Sequence, residues 1–254
     1  MLSTPFLHAL SVAAVFVLGG FVKGVVGLGL PTITMGLLSL AMPPGQAAAL
    51  LVVPSLVTNV WQIGGAGFFA LLRRLATLLV GICAGVWWGA GALTATQGTG
   101  AAWAGAGLGV ALVVYAVLGL LRFRWKVAPA HEPWLAPLVG VSTGLVTAAT
   151  GVFVIPAVPY LQALGLAKDD LVRALGLAFL VATVALGASL GRGGALPPST
   201  IGSSLLALVP ALAGMAAGTR LRRRVEPETF KRVFFCGLLA LGTYLALRGL
   251  AALA

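Results

Sequence analysis

Residues 19–31 read GGFVKGVVGLGLP, and residues 140–159 read GVSTGLVTAATGVFVIPAVP. Both stretches lie in strongly apolar sequence, yet both concentrate the glycine and proline that interrupt regular helices. The apolar segments around the first stretch span 37 residues (6–42), and those around the second span 32 residues (134–165). Two full helical crossings and a turn need more than about 40 residues. We therefore expect broken or re-entrant helices at both places, and above all at the second.

The composition of the whole chain is that of an integral membrane protein. Of its 254 residues, 60% are hydrophobic and only 8% are charged, whereas soluble domains carry about 25% charged residues. At about 20 residues per crossing, ten apolar segments fill the chain. They cover residues 6–22, 24–42, 46–66, 74–95, 101–121, 134–150, 151–165, 171–191, 199–219 and 231–251. The sequence thus predicts an all-α polytopic fold without a soluble catalytic domain.

The basic residues predict the orientation of these segments. A net charge of +11 would suggest nucleic acid as the partner of a soluble chain, but here the Lys and Arg residues lie between apolar segments. If the segments alternate in direction, only Arg192 and Arg248 fall on one side, and the other Lys and Arg residues fall on the opposite side. By the positive-inside rule, both termini lie outside and the basic linker is cytoplasmic. We expect membrane lipid as a partner and no nucleic acid.

The linker separates two halves of five segments each. An odd number of segments gives the second half the opposite sense in the membrane, so similar halves form an inverted repeat. Residues 20–27 (GFVKGVVG) align with residues 144–151 (GLVTAATG), and Pro31 then aligns with Pro156 after one inserted residue. We therefore predict two inverted five-segment repeats. The predicted units are residues 1–121 (first membrane repeat), 122–133 (cytoplasmic linker) and 134–254 (second membrane repeat).

The two interrupted regions are our first candidates for a binding site. Irregular backbone at membrane depth must line a cavity or be buried in protein, and helix N-termini there favour anions. We expect the two breaks to meet near the midplane. The alternative is that the glycines only allow close helix packing, which we predict for Gly81, Gly85, Gly89, Gly105 and Gly109 and which Gly24 also fits. The break residues expected to bind substrate are Gly24, Gly27, Gly29, Pro31, Gly151 and Pro156.

Polar residues of the first half supply further candidates. Lys23 is the first charged side chain of the sequence and the next is Arg73. A charge at membrane depth suggests a functional site, and the alternative is a lysine that snorkels to the membrane surface. Ser55, Asn59 and Gln62 are spaced i, i+4 and i+7 and so share one helical face. They either hold a neighbouring helix or donate hydrogen bonds to a ligand.

The second half offers fewer polar groups. At the positions that align with Ser55, Asn59 and Gln62 it carries leucine, valine and glycine, so the site should be asymmetric. Its candidates are Thr147 and Thr150. Their hydroxyls can bind a ligand or donate to their own i−4 carbonyls, and the sequence does not decide between the two.

The positions of the acidic residues point to an anion. All five carboxylates fall in loops or at segment ends, so a cation site inside the membrane is disfavoured. The membrane potential would drive an anion outward with about 2.3 kcal/mol per charge per 100 mV. The sequence contains no recognisable catalytic group of residues or metal-ligand cluster, and Cys83 and Cys236 lie singly in apolar segments. We therefore predict that the protein is not an enzyme and has no cofactor or metal site.

The sequence also resembles a known family. GFVKGVVGLGLPTITMGLLSLAMPPGQAAALLVVPSLVTNVWQ at 20–62 and GLVTAATGVFVIPAVPYLQALGL at 144–166 resemble the TauE/SafE family of sulfite exporters. The resemblance implies a permease of the bacterial inner membrane that exports sulfite or an organosulfonate such as sulfoacetate. The matching positions are Gly24, Gly27, Gly29, Pro31, Asn59, Gln62, Gly144, Gly151 and Pro156. At the second break the sequence departs from the commoner family pattern, because residues 150–153 (TGVF) lack a Gly-Gly pair.

Together these observations predict a secondary transporter that exports a small sulfur-containing anion by alternating access. Glycine N–H groups, Asn59, Gln62, Thr147 and Thr150 would bind the anion, and Lys23 would supply charge. One alternative is an anion channel with the same site and a continuous path. A less favoured alternative is a membrane assembly protein without transport activity. The sequence leaves a homodimer open.

Overall fold

The computed structural model describes residues 4–64, 67–93, 99–121, 126–222 and 226–253. These residues form ten α-helices and no strand, and eight of the helices are long and apolar enough to cross a membrane. The prediction of an all-α polytopic membrane protein is confirmed. The helices are α1 (Thr4–Val26), α2 (Leu30–Leu38), α3 (Pro44–Ile63), α4 (Phe68–Trp88), α5 (Thr99–Leu120), α6 (Glu132–Thr150), α7 (Ala157–Ala163), α8 (Lys168–Arg192), α9 (Pro198–Leu221) and α10 (Pro227–Ala251).

The two short helices follow interruptions at the predicted Gly/Pro stretches. The first break (residues 27–29) separates α1 from the nine-residue α2, and the second break (residues 151–156) separates α6 from the seven-residue α7. In the first break the φ angles of Gly27 and Gly29 are +82° and +117°, and in the second the φ of Gly151 is +72°. Residues with a Cβ rarely adopt this left-handed conformation, so glycine permits the chain to leave each helix at these points.

Glycines also pack the long helices together. A Cβ on Gly20 would lie 2.1 Å from a carbonyl oxygen of α9, and one on Gly85 would lie 2.1 Å from a carbonyl oxygen of α6. Such backbone approach is typical of small-residue interfaces in membranes. The packing prediction is confirmed for Gly81, Gly85 and Gly89 against α6 and for Gly109 against α10. It is wrong for Gly105, because a Cβ on that residue would have no described atom within 4 Å.

Helix α3 occupies the middle of the bundle, where it packs against α2, α8 and α9. Pro54 interrupts its backbone hydrogen bonds, because proline has no N–H for the carbonyl of Leu50 one turn earlier. Ser204 of α9 replaces that donor, since its hydroxyl lies 2.8 Å from the Leu50 oxygen and accepts the Val53 N–H at 3.1 Å. The exchange satisfies a backbone carbonyl that lipid could not hydrogen-bond.

The two breaks lie near opposite ends of α3. The first break contacts Gln62, whose amide binds the carbonyl oxygen of Gly27, whereas a Cβ on Gly151 would lie 3.5 Å from Ala48. Fourteen residues separate Gln62 from Ala48, a rise of about 21 Å. This rise is not the distance between the breaks themselves, because a Cβ on Gly151 would also lie 2.6 Å from Met35, six residues after Gly29. The expectation that the breaks meet near the midplane stays a prediction.

The linker and the basic loops are only partly described. Of the predicted linker 122–133, residues 122–125 lie outside the described residues, as do Arg223 and Arg224. From Lys126 the chain runs without regular structure to α6, which begins at Glu132, within the predicted linker. A hydrogen bond of 2.9 Å from the Val127 N–H to the Ala163 carbonyl fixes this connection beside the end of α7.

Candidate functional site

Lys23 lies in the last turn of α1, and its side chain turns into the protein. Only 3% of the residue is exposed. Its ammonium donates hydrogen bonds to the Thr58 hydroxyl at 3.0 Å and to the Asn59 side-chain oxygen, both on α3. The snorkelling alternative is therefore wrong for Lys23, because snorkelling would place the ammonium at the membrane surface.

The buried ammonium has no anionic partner among the described residues, which include all five carboxylates of the chain. A buried charge normally requires a counter-ion as well as hydrogen bonds, and Lys23 has two neutral acceptors instead. An anion that reached this position would find a cation that no described protein group neutralises. Ion pairs of the described residues lie elsewhere, at Arg74–Glu132, Arg173–Asp170 and Lys231–Glu228.

Ser55, Asn59 and Gln62 form the polar face of α3 that the sequence predicts. Ser55 and Asn59 are each 1% exposed, and Gln62 is half-buried. Each side chain retains a buried atom without a hydrogen-bond partner among the described residues, namely Ser55 Oγ, Asn59 Nδ2 and Gln62 Oε1. An unmade hydrogen bond at a buried group costs about 1–3 kcal/mol. The Asn59 amide nitrogen is the most informative of the three, because it is a donor beside the Lys23 cation.

The first break is joined to this polar face. The Gln62 side chain donates from Nε2 to the Gly27 carbonyl at 3.0 Å. Gly29 begins α2 as its N-cap, and Pro31 is buried in the first turn of α2, where proline loses no helical hydrogen bond. Gly24 instead faces α9, since a Cβ there would lie 2.3 Å from the Met215 carbonyl oxygen, which is the packing alternative.

The second break has a different chemistry. The Thr147 and Thr150 hydroxyls each donate to the carbonyl four residues earlier, at 2.7 Å. The Gly151 N–H bonds the Thr147 carbonyl at 2.8 Å, and Pro156 precedes α7 after a cis peptide bond. The donors of both hydroxyls are thus used within α6, which is the i−4 alternative. None of these hydrogen bonds reaches the Lys23 cluster, which is formed by Lys23 and its partners Thr58 and Asn59.

The structure therefore divides the predicted residues into two groups. Lys23, Gly27, Asn59 and Gln62 lie together at the end of α1, next to Gly29 of the first break and Pro31 of α2. Thr150, Gly151 and Pro156 belong to the second break, with Thr147 one turn before it. Sequence reasoning missed Thr58, which accepts from Lys23 while it donates to the Pro54 carbonyl at 2.7 Å. Its position four residues after Pro54 was the available signal, because a threonine there reaches the i−4 carbonyl.

No group of three or more His, Cys, Asp or Glu side chains that could hold a metal occurs in the part of the chain that the structure describes. Cys83 and Cys236 are exposed on the outside of the helix bundle, and neither contributes to the Lys23 cluster. The chemistry of the cluster is therefore that of neutral hydroxyl and amide groups around one lysine.

Comparison with known proteins gave one result. A family model described as "Sulfite exporter TauE/SafE" matches residues 12–245. A search of curated proteins and a search of solved structures found no significant match.

Proposed function

The chain belongs to the TauE/SafE sulfite exporter family, and from this premise we propose that it is a secondary transporter that exports sulfite or a small organosulfonate by alternating access. The chain is a multi-pass membrane protein of a transporter family, which is consistent with an activity other than catalysis. We also propose that the protein resides in the bacterial inner membrane.

The observation that supports the proposal most directly is the environment of Lys23. Among the described residues its buried ammonium meets only the neutral oxygens of Thr58 and Asn59, and the Asn59 amide nitrogen beside it has no acceptor there. A sulfur oxyanion carries negative charge and several acceptor oxygens, so it can neutralise the cation and accept from the amide at once. Charge-assisted hydrogen bonds of this kind are about twice as strong as neutral ones.

The first break then acts as the cytoplasmic gate. The hydrogen bond from Gln62 to Gly27 links the polar face of α3 to the break. An anion that draws on the Gln62 amide competes with this bond, and the left-handed Gly27 and Gly29 let the break change conformation with little steric cost. Pro31 fixes the start of α2, and the tight packing of Gly24 holds α1 against α9.

The second break serves as the gate on the opposite side. We assign this role to Thr147, Thr150, Gly151 and Pro156, because they interrupt the chain near the other end of α3. The backbone of this break offers neutral groups to an anion on its way out, whereas the two hydroxyls already donate within α6. A site with charge at one end and neutral groups at the other agrees with the asymmetry that the sequence predicts.

Two inverted repeats, residues 1–121 and 134–254, would account for these opposed gates. The directions of the corresponding helices support this division. Contacts of Gln62 with Gly176 and of Val52 with Gly187 make α3 and α8 antiparallel, and α5 and α10 are antiparallel as well. With the positive-inside rule, the proposal places both termini outside and the linker 122–133 in the cytoplasm.

Purified protein in liposomes tests this function. The proposal predicts saturable sulfite flux that is accelerated by unlabelled sulfite or sulfonate on the opposite side, as alternating access requires. Flux that rises linearly with concentration, together with single-channel currents in a planar bilayer, would indicate an anion channel and not a carrier. Absence of flux for sulfite, sulfate, thiosulfate and small sulfonates would refute transport of this class. Light scattering on the same sample distinguishes a monomer from a homodimer.

A further inference from the structure

A cavity of about 380 Å³ lies beside the end of α1 and the first break. Five helices and the break contribute to its lining: the end of α1 with Val25 and Val26, Leu28 of the break, Gln162 of α7, the start of α8, Arg222 at the end of α9 and Lys231 of α10. Its volume lies in the range of small-molecule sites. Val26 is only three residues from Lys23, a rise of about 4.5 Å along α1. Lys23 itself does not line the cavity.

The charged groups that the described residues contribute to this cavity are all cations. Lys168, Arg222 and Lys231 line it, and no described carboxylate does. Lys231 lies 3.7 Å from Glu228, which precedes it by three residues on its own helix. Lys168 and Arg222 form no ion pair with any described residue. Three cations from three separate elements thus converge on one concave surface, where they raise the local concentration of anions.

Apart from Gln162, the remaining wall is apolar. It consists of Val25, Val26 and Leu28 and of Leu171, Val172 and Leu175 of α8. A bare oxyanion such as sulfite makes no use of such a wall. An oxyanion with a short alkyl chain can place its charged group at the cations and its chain against the valines and leucines.

We propose that this cavity is a separate outer site, which binds an oxyanion carrying a short alkyl group before the anion passes the first break to the inner site at Lys23. The inference rests on the proposed function for its role in transport, but binding at the outer site can be tested without transport. The same chemistry, an anionic head on an apolar chain, also describes an anionic lipid. The free alkanesulfonate is favoured because residues of five helices bound the cavity.

Binding is measured by thermal shift on detergent-purified Lys23→Met protein at low ionic strength, so that the inner site does not contribute. Along the series methane-, ethane-, propane- and butanesulfonate, we expect the affinity to rise about fourfold per methylene group. The double variant Lys168→Gln/Arg222→Gln should bind every sulfonate about tenfold more weakly. Val172→Thr, which keeps the side-chain shape, should reduce the dependence on chain length.

The matched control is Arg220→Gln/Arg232→Gln. It removes two charges from the same region, at residues outside the cavity lining, and should change affinity less than twofold. The outer site is refuted if the control and the cavity variant behave alike, since that result would reflect only the overall surface charge. It is also refuted if dihexanoyl phosphatidylglycerol stabilises the protein through Lys168 and Arg222 while no sulfonate does.

Liposome flux separates this inference from the proposed function. If the parent protein transports sulfite but the cavity substitutions leave the affinity for sulfonates unchanged, only the assignment of the outer site is wrong. If sulfonates bind as expected but no sulfur anion is transported, the outer site stands and the proposed function fails.

Discussion

Replacement of Lys23 by methionine should weaken substrate binding without loss of stability. Methionine has a similar length and suits an apolar environment. The variant removes a buried cation whose only described partners are the oxygens of Thr58 and Asn59. Because a buried charge without a counter-ion is costly, the ligand-free protein should unfold at the same temperature as the parent or a higher one. If Lys23 had only a structural role, the variant would unfold at a lower temperature and would bind the substrate as the parent does.

The magnitude of the binding effect follows from the lost interaction. A hydrogen bond to a charged group contributes about 1.5–3 kcal/mol. The half-saturating concentration of sulfite in liposome flux should therefore rise roughly tenfold to hundredfold. Asn59→Ala removes the second donor and should also weaken binding. Since the two side chains touch, their effects should not add, and the double variant should bind sulfite about as weakly as Lys23→Met alone.

The assay combines thermal unfolding of detergent-purified protein with sulfite flux in liposomes. A ligand that binds the folded state raises its melting temperature, so titration with sulfite reports affinity independently of flux. Lys126→Gln is the control, because it removes an exposed cation outside the cluster. The assignment is refuted if Lys23→Met melts several degrees lower without ligand and yet binds sulfite with the affinity of the parent.

Three further changes test the fold and the gate. Gly85→Ala places a Cβ 2.1 Å from a backbone oxygen of α6 and should lower the free energy of unfolding by about 1–3 kcal/mol. Gly237→Ala is the control, because its Cβ would meet no described atom within 4 Å. Equal melting temperatures of the two variants would contradict the close packing at Gly85. Arg74 and Glu132 share two hydrogen bonds of 2.8 and 3.0 Å near the surface. A double-mutant cycle of Arg74→Gln and Glu132→Gln should therefore give a coupling free energy of about 0.5–1 kcal/mol. A coupling of zero would show that this ion pair does not stabilise the protein. Gln62→Leu removes the tie to the first break and should lower the maximal flux more than the affinity for sulfite; an unchanged maximal flux would exclude this role in gating.

Much of the fold could be predicted from local sequence. The long apolar segments identified the eight membrane-crossing helices, and the Gly/Pro stretches identified the two interruptions. The depth of those interruptions could not be predicted, because apolar sequence continues through Lys23 to the end of α1 at Val26. A continuous run of apolar residues does not indicate at which depth in the membrane a helix ends.

The site was predictable to the extent that it depends on one helix. The spacing of Ser55, Asn59 and Gln62 determined that they share a face, whatever the rest of the fold. Contacts between helices were not predictable in this way. Whether Lys23 snorkels or turns inward depends on the rotation of α1 against α3, and that rotation is set by the close packing of Gly24 against α9.

The two breaks differ in the groups that they offer to an anion. At the first break an anion meets the Lys23 cation and the Asn59 amide nitrogen, which has no acceptor among the described residues. Near the second break the Thr147 and Thr150 hydroxyls already donate to their own helix. Binding should therefore be strong at the end of α1 and weak at the opposite end, so an anion is captured on one side and released easily on the other. If the end of α1 is cytoplasmic, as the basic residues indicate, the membrane potential favours the same direction by about 2.3 kcal/mol per charge per 100 mV. The potential then favours export without a second ion, whereas the difference in binding strength changes the rates of capture and release but not the direction of net flux.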